Sequence, residues 1–268
     1  MADGERGGAL RAHGVHPALE VVGLPRELGA RLTGDRSWLL GIAVNLALAL
    51  GYLAFTRYHP DQAGPLRLGN VGVAVVVWVL ADVITTNQLG ADADRVLGQL
   101  SRGHRVAGVL VLRNLTLAVV LVPLAIAATL LSTLLVDDPP PLLHALTADV
   151  GAVFLWLGVG SVVSVLLPYR PIPLRRRWRA RSTWVRWGIC LGTPYVLAVT
   201  VIPLLHAPLQ LFSRRGAPSG PANLAWTWGY LVLGLAYWLL GVAVAARLAR
   251  RPRHDPRRRL RATADTGP

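Results

Sequence analysis

Apolar residues in this chain collect in six runs separated by short polar stretches: Trp38 to Thr56, Leu68 to Ile84, Asn114 to Val136, Ala148 to Leu167, Trp187 to Leu205 and Ala225 to Ala246. A helix rising 1.5 Å per residue needs about 20 mostly apolar residues to cross about 30 Å of hydrocarbon, and each run is close to that length. The third extends back to Val106 if its polar residues are counted in. The pattern predicts an all-α integral membrane protein of about six transmembrane helices. It divides the chain into an amino-terminal tail (1–37), a six-span membrane domain (38–246) and a basic carboxy-terminal tail (247–268). The loops are too short for a soluble catalytic domain of ordinary size. In the first tail, Leu19 to Leu32 mixes apolar and charged residues as an interfacial segment does, although Pro25 interrupts it. The first run begins behind that Arg-bearing tail, which predicts a retained anchor and not a cleaved signal.

Composition agrees with this class. Hydrophobic residues make up 53% of 268 and charged residues 16%, too little polar surface to cover a water-soluble globule. The charges add an orientation. All 28 basic residues are arginine; five lie in the amino-terminal tail, four between the second and third runs, seven between the fourth and fifth, and eight after the sixth. The alternate loops hold the other four, Arg57, Arg67, Arg214 and Arg215. Cytoplasmic loops carry the arginine excess, so both ends are predicted to be cytoplasmic.

A net charge of +14, with Trp178 and Trp184 among Arg170 to Arg186, has the composition of a nucleic-acid patch. These arginines flank predicted spans, where they set topology and attract anionic lipid; no nucleic-acid partner is expected. Trp38, Trp184, Trp187, Trp226 and Trp228 fall at predicted interfaces.

Catalytic chemistry finds little support. The chain has no lysine, so it supplies no standard phosphate-binding loop, and neither His-Glu-x-x-His nor Gly-x-Ser-x-Gly occurs. Cys190 is the single cysteine. His59, His144 and His206, with Asp61, Asp137, Asp138 and Asp149, fall on the predicted outer side without metal-ligand spacing. The expectation is no enzyme, no metal and no cofactor.

Function in membrane proteins tends to lie with polar residues inside spans, because a charge there costs about 2.5–3.5 kcal/mol on the mildest scale. Here these are Asn45, Asn70, Asp82, Arg113, Asn114, Asp149, Ser161 and Ser164. Asp82 closes the second run and Arg113 opens the third on the same side, which makes an ion pair between them one reading and separate contact with interfacial water the other. Between these runs, Asp92 to Arg105 has Val96, Leu97 and Leu100 spaced as one face of a short helix, with Asp92 near its start. Such a helix is suited to docking in a partner's groove.

Two stretches here resemble a known family. Asn87-Gln88-Leu89-Gly90-Ala91-Asp92, the leucines Leu97 and Leu100, the basic Arg102 and Arg105, and Arg113-Asn114-Leu115 follow the order of a segment in bacterial ATP-binding cassette exporter permeases of the type-2 class. Gly158 to Arg170 is similar to the Ser-Val-Leu-x-Pro close of a later span in that family. Leu89, Ala93, Ser101 and Leu112 stand where the family carries Phe, Gly, Pro and Gly, and many relatives are about twice as long. The resemblance covers roughly residues 87–170. It implies a permease subunit in the bacterial plasma membrane that couples to a separate ATP-binding cassette ATPase through Asn87, Gly90, Asp92, Arg102, Arg105, Arg113 and Asn114. It also implies export by alternating access, with a homodimer or a second permease chain enclosing the pathway. Two other classes are compatible with the residues: a non-transporting membrane scaffold, and an autonomous carrier or channel.

Overall fold

The structure is a computed structural model that describes residues 83–135, 141–168 and 221–265, together with isolated helical positions between 25 and 58 and between 185 and 192. The described residues are helical, with no strand among them. A helical turn, α1 (Val83–Thr86), leads into an irregular stretch and then α2 (Ala93–Ser101), α3 (Val106–Leu135), α4 (Leu142–Leu166) and α5 (Pro221–Ala249). A short 3-10 turn (Pro252–His254) and α6 (Pro256–Asp265) complete the fold.

Three of these helices are long and apolar enough to cross a membrane, over Val106–Leu131, Leu142–Leu166 and Thr227–Ala249. They correspond to the third, fourth and sixth predicted spans. The first and fifth runs, and the second up to Asp82, lie outside the described continuous segments. The observed α3 starts at Val106, the earlier of the two starts the third run allows, and α4 starts at Leu142, ahead of the expected Ala148. A helix propagates through a polar residue whose side chain finds a partner, because each added residue gains a backbone hydrogen bond. The consequence is that Arg113 and Asp149 sit about two turns inside their helices.

The helix α4 is the centre of the described bundle, with contacts to α5, α3 and α1. Its pairing with α5 is parallel and runs along glycines. A methyl carbon at Gly158 would lie 2.7 Å from the Tyr237 carbonyl oxygen and 2.9 Å from the Trp238 Cα. One at Gly151 would meet the Tyr230 carbonyl, and one at Gly234 or Gly241 would overlap the backbone of Gly151 or Gly158. Both helices place their glycines seven residues apart, close to two turns, so the pairs recur along one seam. The opposite side of α5 carries Val232, Leu239 and Leu240, all exposed, as helices facing lipid or further spans do.

Because α3 runs antiparallel to α4, the start of α3 and the ends of α4 and α5 meet at one end of the bundle, where α2 and α6 also lie. There Leu89, Val96, Leu100, Val109, Leu110, Val165, Ala245 and Leu260 form a buried apolar cluster. Residues up to Asp265 fold back against this cluster. Asp255 accepts a hydrogen bond from the Arg257 N–H at 3.0 Å, an N-cap that with Pro256 at the first helical position starts α6. Leu260 is then turned into the cluster.

Candidate functional site

The irregular stretch between α1 and α2 is the most polar buried part of the described structure. Thr85, Thr86, Asn87, Gln88 and Leu89 are all buried, and so are Arg113, Asn114, Ser161 and Ser164 facing them. Backbone without helical pairing leaves donors and acceptors that must find partners at depth. Side chains supply them. The Gln88 N–H donates to Ser164 Oγ at 2.7 Å, and that hydroxyl donates to the Thr86 carbonyl at 3.1 Å. Arg113 Nη1 donates to the Gln88 carbonyl at 2.7 Å. The Gln88 side-chain amide reaches the Thr85 carbonyl at 2.9 Å and the Leu157 carbonyl at 3.5 Å. Gly160 of α4 makes room: a methyl carbon there would overlap the Thr85 carbonyl.

Arg113 also ties the stretch to α2. Its Nη2 lies 3.2 Å from Asp92 Oδ2, and Arg95 approaches the same oxygen at 3.6 Å. Asp92 stands at the N-cap of α2 but its side chain makes no cap hydrogen bond; the carboxylate is turned to the arginines instead. Asn114, the next residue on α3, donates to Ser161 Oγ at 2.9 Å, and Ser161 donates to the Leu157 carbonyl at 2.8 Å. Asp82 lies outside the described residues, so the Asp82–Arg113 pairing has no geometry here; the partners described for Arg113 are Gln88 and Asp92.

The residues expected to couple to a partner therefore divide. Asn87, Gly90, Arg113 and Asn114 are buried, Asp92 is partly covered, and Arg102 and Arg105 are exposed at the end of α2. The expectation for the apolar face of α2 needs correction. Val96 and Leu100 are buried against the chain's own α3, α4, α5 and Leu260, with Leu97 packed alongside, so that face is already filled and the face turned outward is polar. The helix ends at Gly103, whose φ of +89° is the left-handed conformation glycine adopts without strain. Across it the His104 N–H returns to the Gln99 carbonyl at 3.2 Å.

In the sequence the arginines of α6 are a run of like charge; in the structure two of them reach helix ends. Arg257 Nη2 donates to the Leu100 carbonyl at 2.5 Å, in the last turn of α2, and Arg259 Nη1 donates to the Leu166 carbonyl, the last residue of α4. Carbonyls at a helix end have no partner within the helix and carry the negative end of its dipole, so a guanidinium is well suited there. The signal was present in Asp255-Pro256, a helix-start pair, with Leu260 as a lone apolar residue among arginines. Gln88 and Ser164 were also missed as partners, because their pairing spans 76 residues.

Of the predicted outer histidines, His144 is described; its ring meets Tyr230 edge-on with centroids 5.2 Å apart. No group of three or more His, Cys, Asp or Glu gathers among the described residues. Trp228 is exposed near the start of the span in α5, while Trp38, Trp184, Trp187 and Cys190 lie outside the described residues.

Comparison with known protein families, with curated proteins and with solved structures finds no match to this chain.

Proposed function

We propose that this chain is the permease subunit of an ATP-binding cassette transporter in the bacterial plasma membrane, coupled to a separate ATPase through the outward side of α2 and the turn after it. The observation that carries the reading is the meeting of the two stretches on which the family resemblance rests. Residues 86–92 are joined to Ser164, and Asn114 to Ser161, by hydrogen bonds between buried groups. A segment fastened in this way moves with α3 and α4, which is what a transmitter between an ATPase and the spans requires. Its exposed Arg102 and Arg105 supply a contact surface, and the arginine distribution puts that surface in the cytoplasm with both termini. Transport is then outward, by alternating access, with a second copy or a second permease chain completing the pathway.

The test is purification of the tagged protein from its native membrane, with Arg102→Glu/Arg105→Glu beside it. The reading expects an ATP-binding cassette ATPase to accompany the wild type and to be lost from the double variant, while both proteins keep the same melting behaviour. A wild type that brings no such ATPase overturns it. Cargo flux in liposomes without any ATPase then identifies an autonomous carrier, and absence of flux a scaffold.

A further inference from the structure

A second polar site lies near the other end of the bundle, about two turns from the α3–α4 connection, and the permease reading does not use it. Asp149 of α4 is 1% exposed. Its Oδ2 lies 2.5 Å from Thr129 Oγ1 of α3, and its Oδ1 has no hydrogen-bond partner. The Thr129 oxygen is also 2.8 Å from the Ala125 carbonyl, one turn back in its own helix. A threonine hydroxyl has one proton and here faces two acceptors. If that proton goes to the carbonyl, the carboxyl must bring its own.

Among the described residues, the elements packed against Asp149 offer no charge to balance a carboxylate. After Arg113, α3 has no charged residue; α5 has none before Arg247; α1 has none. Among the described residues, the titratable groups on the elements packed against α4 at this end are His144, on α4 itself, and Tyr230 of α5, whose rings are engaged with each other. An ionised carboxylate buried among such neighbours, with one oxygen unpartnered, is far costlier than the neutral acid. A neutral acid fits the geometry: Oδ2–H donates to Thr129 Oγ1, Thr129 donates to the Ala125 carbonyl, and the unpartnered Oδ1 is a carbonyl oxygen and not half of a negative charge.

We propose that Asp149 and Thr129 form an intramembrane proton-binding site, with Asp149 protonated while α3 and α4 are paired as in this structure. Losing the proton leaves a bare charge between the two helices, so release of the proton accompanies their separation or the entry of water or a cationic group beside Asp149. The site thereby links proton occupancy to the contact between α3 and α4, and it does so whether or not an ATPase drives the chain.

Infrared spectroscopy of the full chain in liposomes at pH 7 tests this, because the other carboxyl groups exposed to water are then ionised. The wild type is expected to show a protonated-carboxyl C=O band that shifts in heavy water and is lost in Asp149→Asn. In Thr129→Val, which removes the hydrogen-bond acceptor but keeps the acid, the band is expected to move to higher frequency. A wild-type spectrum with no protonated-carboxyl band at pH 7 overturns the proposal without reference to any variant. A band that persists in folded Asp149→Asn overturns it as well. If Asp149→Asn does not fold, the Thr129→Val shift decides: an unmoved band assigns the proton elsewhere.

Discussion

The helix α4 is held by two unlike contacts. Along one side it meets α5 through Gly151 and Gly158 against Gly234 and Gly241, where backbone approaches backbone, with the His144–Tyr230 and Phe154–Trp238 ring pairs flanking that seam. Toward its carboxy-terminal end it meets residues 85–92 and α3 through hydrogen bonds of Gln88, Ser161, Ser164 and Asn114, with Arg113 holding the Gln88 carbonyl and the apolar cluster of Leu89 and Val165 beside them. The first contact depends on atoms that are missing, so it fails when something is added. The second depends on particular polar atoms, so it fails when something is removed. In an apolar surrounding, packing at close approach and satisfied polar groups are the two means available, since helix association gains little from burying apolar surface that lipid would cover equally well.

The comparison is broken most severely at Arg113. Arg113→Ala removes a fully buried side chain, strands the Gln88 carbonyl and takes one partner from Asp92. A loss of about 3 kcal/mol or more is expected from the cavity and the unpaired carbonyl together, read as a lowered midpoint of unfolding in detergent micelles. An unchanged midpoint would mean that water replaces the guanidinium.

Next comes the seam. Gly158→Ala places a methyl against the Tyr237 carbonyl and the Trp238 Cα, neither of which rotates away as a side chain does, and a loss of about 1–3 kcal/mol is expected. The same substitution at Gly229, on α5 where a methyl meets nothing within 4 Å, should be neutral or stabilise by up to about 1 kcal/mol through helix propensity. Equal losses at both positions would remove close approach as the cause.

Ser164→Ala sharpens the polar side. It leaves the buried Gln88 N–H and Thr86 carbonyl without the hydroxyl that joins them and should cost about 1–2 kcal/mol. Ser164→Thr, which keeps the hydroxyl, is expected to recover part of that, provided its extra methyl is accommodated.

The smallest effect is expected at α6. Arg259→Ala removes a donor to the last carbonyl of α4, partly exposed, and should lower stability by about 1 kcal/mol. Its signature is local: amide exchange should rise in α2 and α6 more than in the α4–α5 seam. Uniform acceleration across the bundle would contradict α6 as a local fastening.

Much of this architecture was legible in the residues. Three of the apolar runs are helices of spanning length, Asp92 does precede α2, and Arg113 and Asn114 do lie beside the segment that resembles a coupling loop. The glycine seam was harder to see. The glycines that carry the α4–α5 contact are seven apart in each helix and come from positions 83 residues distant in the chain. Glycine is common in apolar sequence, and which glycines meet is a property of the pairing. The apolar face of α2 shows the same limit. Its spacing announces a helix with one buried side, but whether a partner or the chain itself covers that side depends on where Leu260 arrives.

By itself, then, the sequence determined that the chain carries apolar runs of membrane-spanning length, three of which are helices among the described residues, and the likeness that motivates the permease proposal. Those follow from hydropathy, spacing and charge, which are local. Tertiary structure alone decided which polar groups satisfy one another: Gln88 with Ser164, Arg113 with the Gln88 carbonyl, Arg257 and Arg259 with two helix ends, and Asp149 with Thr129. A buried donor or acceptor must be paired, but that requirement fixes only that a partner exists, and the partner's identity comes from how the helices are set against each other.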